Sequence, residues 1–354
     1  PTRRSSDLET GTVILEKDKD VPRSPASVTK VMTLLLIFEE IEKGNLKLDD
    51  TVITSAHAKS MGGSQVFLEE GETQTVETMI KCIVIASGND ASVAMAEHIA
   101  GNEPEFVNAM NKKAQALGMK NTHFVDCCGL TDSDDHYTTA YDIALMSREL
   151  IRKYPEILNY SSVWMDTITH NTRQGSKEFG LSNTNRLIRT YEGCVGLKTG
   201  STSKAKFCVS AVAKRKGITL IAVVMAAPDS RTRVKDASML FDYGFAKCSL
   251  YTDENPGKLP DLKVIKGIKE KTTLTFGKTF RCLSTDGTTF DKIKKKLILP
   301  NEVKAPVKKG QKAGELVYYQ ENRELGRIPV IYAENVKKAG YLDRLKQTAE
   351  EFCL

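Results

Sequence analysis

Two apolar segments constrain the fold of this chain more than any other feature. The first runs from Val28 to Ile41, repeats apolar residues at helical spacing and follows Pro25-Ala26-Ser27. The second comprises Phe207–Ala213 and Thr219–Ala226, two strand-like runs joined by a Lys-Arg-Lys-Gly turn. The sequence therefore predicts a helix with Ser27 at its N-terminus and, much later in the chain, a two-stranded hairpin.

The order of the other elements indicates the class of fold. A turn and a strand are predicted at Thr10–Leu15, and a helical pattern follows the hairpin at Arg233–Phe245. The middle of the chain is predicted to be mostly helical, with patterns at about Val76–Ala86, Ala91–Ala100, Glu103–Leu117 and Thr139–Arg152. The sequence of strand, helices, hairpin and helix predicts an α+β domain in which helices face an antiparallel sheet.

A second domain is predicted after the Asp253–Gly257 cluster, which is typical of a linker. Residues 1–252 then form the first domain and residues 253–336 a small β-rich C-terminal domain. Its short strand-like runs are Thr272–Phe276, Lys296–Leu299, Glu315–Tyr319 and Arg327–Tyr332. Residues 337–354 form a weakly amphipathic tail whose apolar side carries Tyr341, Leu342, Leu345, Ala349 and Phe352. Contact of this tail with a membrane and ordinary packing both remain open.

The net charge of +6 is unevenly distributed. Residues 253–354 contain 21 Lys and Arg against 14 Asp and Glu, so all of the basic excess lies there. The region lacks interleaved aromatic residues and any nucleic-acid motif, so no nucleic-acid partner is predicted. A solvated basic face and docking to an anionic envelope surface both remain as interpretations. No apolar run approaches the roughly 20 residues needed to cross a bilayer.

Cysteine and histidine spacing argues against a disulfide scaffold and a metal site. Eight cysteines in 354 residues are too sparse for a disulfide framework, and neither Cys-x-x-Cys nor His-x-x-x-His occurs. Adjacent Cys127 and Cys128 are poorly placed to bridge each other, so buried thiols are expected. The chain begins without a Met or a signal peptide, which predicts a mature or truncated form.

Ser27 and Lys30 place a hydroxyl and an amine three positions apart on one face of the predicted helix. The pattern alone is weak, because residues 201–204 and 203–206 repeat it and an exposed Ser and Lys is the simplest interpretation of any one copy. Ser27 differs in its place at a helix N-terminus, where backbone N–H groups point outward and can hold an oxyanion. It is therefore the candidate nucleophile.

Two further tripeptides carry candidate chemistry. Ser87-Gly88-Asn89 lies at a predicted break between helices, although a lone tripeptide of this kind is more often a helix cap. Lys198-Thr199-Gly200 precedes the hairpin, where a strand edge offers a backbone N–H beside a fixed positive charge. Each is unique in the chain, and the order Ser-x-x-Lys, Ser-x-Asn, Lys-Thr-Gly has separations of 60 and 111 residues. The coincidence of all three is a strong signal.

This constellation is that of the penicillin-binding proteins and serine β-lactamases. The surrounding sequence resembles the low-molecular-mass serine D-Ala-D-Ala carboxypeptidases, closely from residue 7 to about residue 250 and more loosely beyond. The segments that carry the resemblance are Pro25–Thr33, Gly62–Leu68, His136–Asp142, Asn183–Leu187, Gly196–Gly200 and Asp242–Phe245. The resemblance implies a penicillin-binding, β-lactamase-like domain followed by that family's β-rich C-terminal domain.

The chain departs from the family pattern at three places. Residues 1–6 do not resemble the family's first strand, which predicts that the sheet lacks an edge. Asp126–Leu130, with two cysteines, replaces a more usual Asn-x-His/Asn-Gly-Leu, and Lys206 stands where the family commonly has Gly. None of these departures touches the three motifs.

The resemblance implies acyl transfer without a metal or organic cofactor. Ser27 attacks the carbonyl of the penultimate D-Ala of a peptidoglycan stem peptide, the terminal D-Ala leaves, and water hydrolyses the acyl-enzyme. Lys30 is the base, for which burial and a nearby positive charge must lower its pKa. Ser87 relays the proton to the leaving amine, and Asn89 orients Lys30 or the substrate amide. β-Lactams mimic the D-Ala-D-Ala end and are expected to acylate Ser27.

The third motif and its neighbours are implied to hold the substrate. The residues concerned are Lys198, Thr199, Gly200, Ser201 and Arg233. Arg231 is as near in sequence as Arg233, so the arginine that aids the terminal carboxylate stays open. The backbone N–H groups of Ser27 and Ser201 are implied to form the oxyanion hole.

Two other functions remain as alternatives. A class A β-lactamase needs a deacylating Glu, usually in Glu-x-x-Leu-Asn, and no such pentapeptide occurs. A catalytically silent penicillin- and peptidoglycan-binding scaffold keeps the fold without turnover. Because the resemblance implies peptidoglycan as the substrate, an extracytoplasmic location at the cell envelope is expected.

Overall fold

The computed structural model describes residues 1–172 and 175–343, in two units that divide between Ala246 and Lys247. Helices and an antiparallel sheet build the first unit. Strands dominate the second. The predicted α+β class with a β-rich C-terminal part is confirmed.

The secondary-structure elements are as follows. The strands up to residue 246 are β1 (Thr2–Asp7), β2 (Val13–Lys17), β3 (Thr51–Ile53), β4 (Thr73–Thr75), β5 (Met165–Thr172), β6 (Gly175–Ser182), β7 (Cys194–Thr202), β8 (Lys206–Arg215) and β9 (Ile218–Ala227). The helices are α1 (Lys30–Glu42), α2 (Ala56–Lys59), α3 (Val76–Val84), α4 (Asn89–Ala100), α5 (Glu103–Ala116), α6 (Ala140–Lys153), α7 (Ile157–Ser161), α8 (Leu187–Thr190) and α9 (Ser230–Lys247). The later strands are β10 (Ser249–Thr252), β11 (Leu262–Ile265), β12 (Lys271–Thr272), β13 (Leu274–Phe276), β14 (Arg281–Ser284), β15 (Ile293–Ile298), β16 (Glu302–Lys304), β17 (Lys312–Gln320) and β18 (Arg323–Tyr332).

The main sheet of the first unit has the strand order β2-β1-β9-β8-β7, and every pairing is antiparallel. The predicted hairpin is confirmed as β8 and β9. Residues 220–225 of β9 are all buried, so both faces of this strand are covered, which explains its unbroken apolar run. The third motif lies within β7, which pairs with β8. The sequence pattern indicated two strands here, whereas the structure has three.

The predicted apolar helix forms the centre of the helical part. Residues 31–38 of α1 are buried on all sides, as expected of a helix that is apolar around its circumference. A short 3₁₀ turn, Ala26–Thr29, precedes α1. Ser27 therefore lies one turn before the α-helix, and Lys30 is its first residue.

The prediction that the sheet lacks an edge at the N-terminus is wrong. Thr2–Asp7 forms β1, which lies between β2 and β9 and pairs in register from Thr2 with Met225 to Asp7 with Leu220. Strand pairing uses main-chain N–H and C=O groups, so a segment with unfamiliar side chains can still complete a ladder. The resemblance depends on side-chain identity, whereas this strand forms through main-chain hydrogen bonds.

The middle of the chain contains strands that the sequence did not predict. Met165–Thr172 and Gly175–Ser182 form the β5–β6 hairpin, and β3 pairs with β4. Only Ile168 and His170 are buried along β5, so the segment is polar and lacks the apolar alternation of a typical strand. Its β-structure comes from cross-strand pairing rather than from a local apolar pattern.

The second unit consists of small sheets around two apolar clusters. The strand orders are β10-β14, β12-β11-β16 and β13-β18-β17-β15. In one cluster the rings of Phe280 and Tyr318 stack with centroids 3.7 Å apart. Within residues 1–172 and 175–343, no helix has the length and apolarity to span a bilayer.

Candidate active site

Ser27 and Lys30 meet as their spacing predicted. The half-buried Ser27 hydroxyl lies 3.1 Å from the Nζ of fully buried Lys30. The other two copies of the pattern differ, because Lys204 is an exposed partner of Asp134 and Lys206 is also exposed. Only the first copy places its amine in the protein interior.

The Lys30 amine has three partners. Nζ lies 2.6 Å from the Oδ1 of Asn89, 2.9 Å from the main-chain oxygen of Cys128 and 3.1 Å from the Oγ of Ser27. The first two oxygens only accept hydrogen bonds, whereas a hydroxyl either donates or accepts. A neutral amine fits this arrangement, since its two N–H groups serve the two carbonyl oxygens and its lone pair faces the Ser27 hydroxyl.

Burial also favours the neutral amine. Removal from water lowers the pKa of Lys30, because it penalises the charged form. The pKa of buried Lys198 lies well below its usual range for the same reason, with further lowering by the charges of Lys30 and Arg233. The site therefore brings together basic side chains whose burial and mutual repulsion disfavour their charged forms.

The second motif lies at the break between α3 and α4, as predicted. Asn89 begins α4, and its Nδ2 donates to the Gly62 carbonyl at 2.7 Å, which leaves Oδ1 to face Lys30. Ser87 adopts a φ of +63°, an uncommon conformation for a residue with a side chain. Its Oγ is buried and has no hydrogen-bond partner among the described residues. A buried hydroxyl without a partner is costly, so this one is available to a ligand.

The third motif lies on β7, the edge strand beside the Ser27 turn. Lys198 and Thr199 are buried, and the Thr199 hydroxyl donates to the Oγ1 of Thr184 at 2.7 Å. A Cβ on Gly200 would lie only 2.7 Å from the Ser27 nitrogen and 2.7 Å from the Pro25 carbonyl oxygen. The strand therefore passes so closely by the turn that only glycine fits.

Arg233 reaches the same strand, whereas Arg231 is exposed. The guanidinium of Arg233 donates to the carbonyls of Gly200 at 3.4 Å and Cys208 at 3.3 Å, and it lies over the Phe207 ring. The sequence did not decide between Arg231 and Arg233, and the structure places Arg233 at the third motif. This arginine is a further basic side chain at the motif, and its charge contributes to the lowered pKa of Lys198.

Sequence reasoning missed two contributors to the site. The Cys128 carbonyl, an acceptor for Lys30, lies in a turn that Asp126 holds by accepting N–H groups from Cys128 at 2.8 Å and Thr131 at 2.9 Å. Because Cys128 contributes a main-chain atom, its side-chain identity gives no signal. Thr184, which accepts from Thr199, lies within the Asn183–Leu187 segment that resembles the family. That resemblance was the feature of the sequence from which its role could have been found.

Comparison with known proteins agrees with this geometry. A family model described as D-alanyl-D-alanine carboxypeptidase matches residues 5–229, and one described as penicillin-binding protein 5, C-terminal domain, matches residues 253–338. The D-alanyl-D-alanine carboxypeptidase DacF of Bacillus subtilis is 43% identical over 96% of the chain and 86% of its own length. DacD of Salmonella typhimurium is 33% identical over 96% of the chain and 87% of its own length. The crystal structure of penicillin-binding protein 5 from Haemophilus influenzae superposes with a TM-score of 0.73 at 28% identity, covering 95% of this chain and 97% of that one.

Proposed function

Because the chain belongs to the D-alanyl-D-alanine carboxypeptidase family, we propose that it removes the terminal D-Ala from peptidoglycan stem pentapeptides through an acyl-enzyme on Ser27. The observation that carries the assignment of the nucleophile is the environment of the Lys30 amine. Two of its three partners are oxygens that only accept, so once the amine is neutral its two N–H groups serve them and its lone pair is left for the Ser27 proton. A buried amine with a lowered pKa is the base that a serine nucleophile needs.

Acylation follows from these positions. Lys30 removes the Ser27 proton as Oγ bonds to the carbonyl carbon of the penultimate D-Ala. The negative charge that develops on the carbonyl oxygen is stabilised by the backbone N–H groups of Ser27 and Ser201. The C–N bond then breaks, and the proton passes from Lys30 through Ser87 to the leaving amine. Asn89 keeps the Lys30 amine aimed at the reacting atoms.

The substrate carboxylate is assigned to the cationic side of the cleft. Lys198 and Thr199 bind the terminal carboxylate, and Arg233 supports the same strand through the Gly200 carbonyl. Water hydrolyses the acyl-enzyme to complete the cycle. β-Lactams carry a carboxylate and a strained amide in the same relation, so they acylate Ser27 in place of the peptide.

We place this enzyme on the outer side of the cytoplasmic membrane, where peptidoglycan lies, as a secreted protein. We keep residues 1–252 as the catalytic domain, 253–336 as the β domain and 337–354 as a tail for peripheral membrane contact. Tyr341 and Leu342 are each 79% exposed, and Lys294 and Lys296 add exposed positive charge. Both features suit an anionic surface. Leu345, Ala349 and Phe352 lie outside the described residues.

The acyl-enzyme is the test of this function. After a short incubation with benzylpenicillin, we expect the tryptic peptide Ser24–Lys30 to gain the mass of one intact antibiotic. The same preparation is expected to release D-alanine from an acyl-Lys-D-Ala-D-Ala peptide. An adduct without D-alanine release would instead indicate the silent scaffold, and rapid loss of the adduct with multiple penicillin turnovers would indicate a β-lactamase.

The close passage of β7 gives a second prediction. Gly200→Ala is expected to lower kcat for D-alanine release by about 10²-fold, because its Cβ displaces the backbone that carries the oxyanion donors. Gly180→Ala is the matched control, since this strand glycine has open space where the Cβ would be built. Steady-state kinetics of both variants and the wild type measure the effect. Equal activity of all three would exclude the proposed role of the Ser27 and Ser201 N–H groups.

A further inference from the structure

A second cleft of about 410 Å³ lies between the loop that follows Gly62 and the β5–β6 hairpin. We call it the hairpin cleft and define it by Phe67, His170, Lys177 and Phe179. Its volume is in the range of ligand sites. None of these residues belongs to the three catalytic motifs.

His170 lines this cleft and has one ring nitrogen without a partner among the described residues. The side chain of Glu72 is fully buried and accepts from the Gln74 amide at 2.8 Å and the Glu69 N–H at 2.9 Å. Its third partner is the Nδ1 of His170 at 2.7 Å. Because the carboxylate only accepts, Nδ1 carries the proton of this hydrogen bond, and in the Nδ1–H tautomer Nε2 is an acceptor. His170 is 8% exposed, and Nε2 is buried with no partner among the described residues.

Two phenyl rings form the apolar side of the cleft. Phe179 meets His170 edge-on at 5.5 Å and Phe67 at 5.8 Å. Phe67 is 64% exposed, so its apolar ring faces solvent. Its φ of +62° is a backbone conformation that few residues with bulky side chains adopt. Strained residues of this kind persist where the surroundings fix them, often at ligand sites.

Asp90 fixes Phe67 and links the cleft to the catalytic site. Its buried carboxylate accepts the N–H groups of Val66 and Leu68, the two neighbours of Phe67, at 3.1 Å each. Asp90 directly follows Asn89, whose own N–H donates to the Ser64 carbonyl at 2.7 Å. The same loop therefore braces Asn89 on one side and presents Phe67 on the other.

Lys177 supplies a donor beside the His170 acceptor. The two residues are directly opposite in the β5–β6 register, so their side chains project from the same face of the hairpin. Lys177 is exposed and has no ion pair within the described residues, whereas the cleft residue Glu69 is paired with Lys59. An acceptor and a donor thus lie next to an apolar surface. A secondary amide, with its N–H, its C=O and an apolar flank, matches this set.

We propose that the hairpin cleft binds a secondary amide of the substrate that lies further upstream than the residue preceding D-Ala-D-Ala and that residue's own amide nitrogen, an inference that rests on the proposed function. The amide N–H is donated to the Nε2 of His170, its C=O accepts from the Nζ of Lys177, and its apolar flank packs on Phe67 and Phe179. Such an amide occurs in the stem peptide backbone and in the acetamido group of the attached sugar. The cleft thereby makes cleavage depend on more of the substrate than its last two residues.

Three substrates test this subsite and distinguish its two sources. They are diacetyl-Lys-D-Ala-D-Ala, the stem pentapeptide, and the same pentapeptide on its disaccharide. The quantity measured is the ratio of kcat/KM for a longer substrate to kcat/KM for the short one. In His170→Leu we expect this ratio to fall about three- to tenfold, which is the effect expected from the loss of one hydrogen bond. Phe67→Ala and Lys177→Met are expected to act in the same direction. Met165→Ala, at the other end of β5 and 65% exposed, is the control and is expected to keep the wild-type ratio.

Each outcome has a defined meaning. A fall that begins with the pentapeptide assigns the stem amides, and one confined to the disaccharide substrate assigns the acetamido group. Unchanged ratios, or equal losses on all three substrates, would overturn the subsite. If His170→Leu does not fold, the two exposed variants, Phe67→Ala and Lys177→Met, decide.

A binding measurement separates this proposal from the proposed function. The disaccharide tripeptide, which lacks both D-alanines, is titrated calorimetrically into the wild type and into Phe67→Ala. Weaker binding by the variant supports the cleft even if the wild type releases no D-alanine. Equal binding, or none to the wild type, rejects the cleft while leaving D-alanine release to be judged on its own.

Discussion

Replacement of Ser27 by alanine is expected to abolish D-alanine release, with a fall of about 10⁴- to 10⁶-fold in kcat/KM. The methyl group cannot form the acyl bond, and no other hydroxyl is placed against the Lys30 amine in the described residues. The fold is expected to survive, because the Ser27 Oγ contributes one hydrogen bond from a half-buried position. D-Alanine release is measured at equal folded concentration, and the benzylpenicillin adduct by mass spectrometry. Both signals should vanish together.

The control for this substitution is Ser203→Ala. Ser203 has the same spacing to Lys206 as Ser27 has to Lys30, but both of these residues are exposed. Wild-type activity is expected. Retention of activity in Ser27→Ala together with its loss in Ser201→Ala would show that the nucleophile belongs to another copy of the pattern. Retained D-alanine release in every one of these variants would reject an acyl-enzyme on any of the three serines.

The positions of the candidate catalytic side chains were predictable because each motif is local. A hydroxyl and an amine three residues apart must share a helix face, and the structure places Ser27 and Lys30 on that face. Asn89 joins them from the start of α4 because a break between two helices turns its polar side chain inward. The sequence alone could order these motifs but could not supply the distances.

The partners supplied by the main chain were not predictable from residue types. The Cys128 carbonyl holds Lys30, and any residue in the same turn would provide that oxygen. This explains how the chain departs from its family at Asp126–Leu130 without losing an acceptor for the amine. Similarly, β1 completes the sheet by main-chain pairing despite its unfamiliar side chains.

Contacts between distant segments form the other unpredicted class. Glu72 and His170 are separated by 98 residues and meet only because the β5–β6 hairpin folds against the segment before α3. The hairpin itself is polar, so no apolar period marked it as a strand. Local sequence patterns therefore located the candidate reacting groups, whereas the surface that surrounds them depends on pairing between distant segments.

Replacement of Lys30 by methionine is expected to lower the rate of acylation by about 10²- to 10⁴-fold, the range of general-base catalysis. Methionine fills similar space but leaves the Ser27 proton without an acceptor. It also leaves the Asn89 Oδ1 and the Cys128 carbonyl without their donor, at a cost of about 1–3 kcal/mol for each buried group. Thermal unfolding measures this cost separately, and acylation is followed with a fluorescent penicillin at equal folded concentration.

The pH dependence distinguishes a lost base from a distorted site. The wild-type acylation rate should rise with pH as Lys30 loses its proton, and since burial lowers the Lys30 pKa, the rise should be half complete below pH 10.5. In Lys30→Met this rise of the acylation rate with pH is expected to disappear. If the substitution only distorted the site, the rate would be lower at every pH and the profile would keep its shape. A variant that still shows the rise with pH would therefore indicate that another group removes the Ser27 proton.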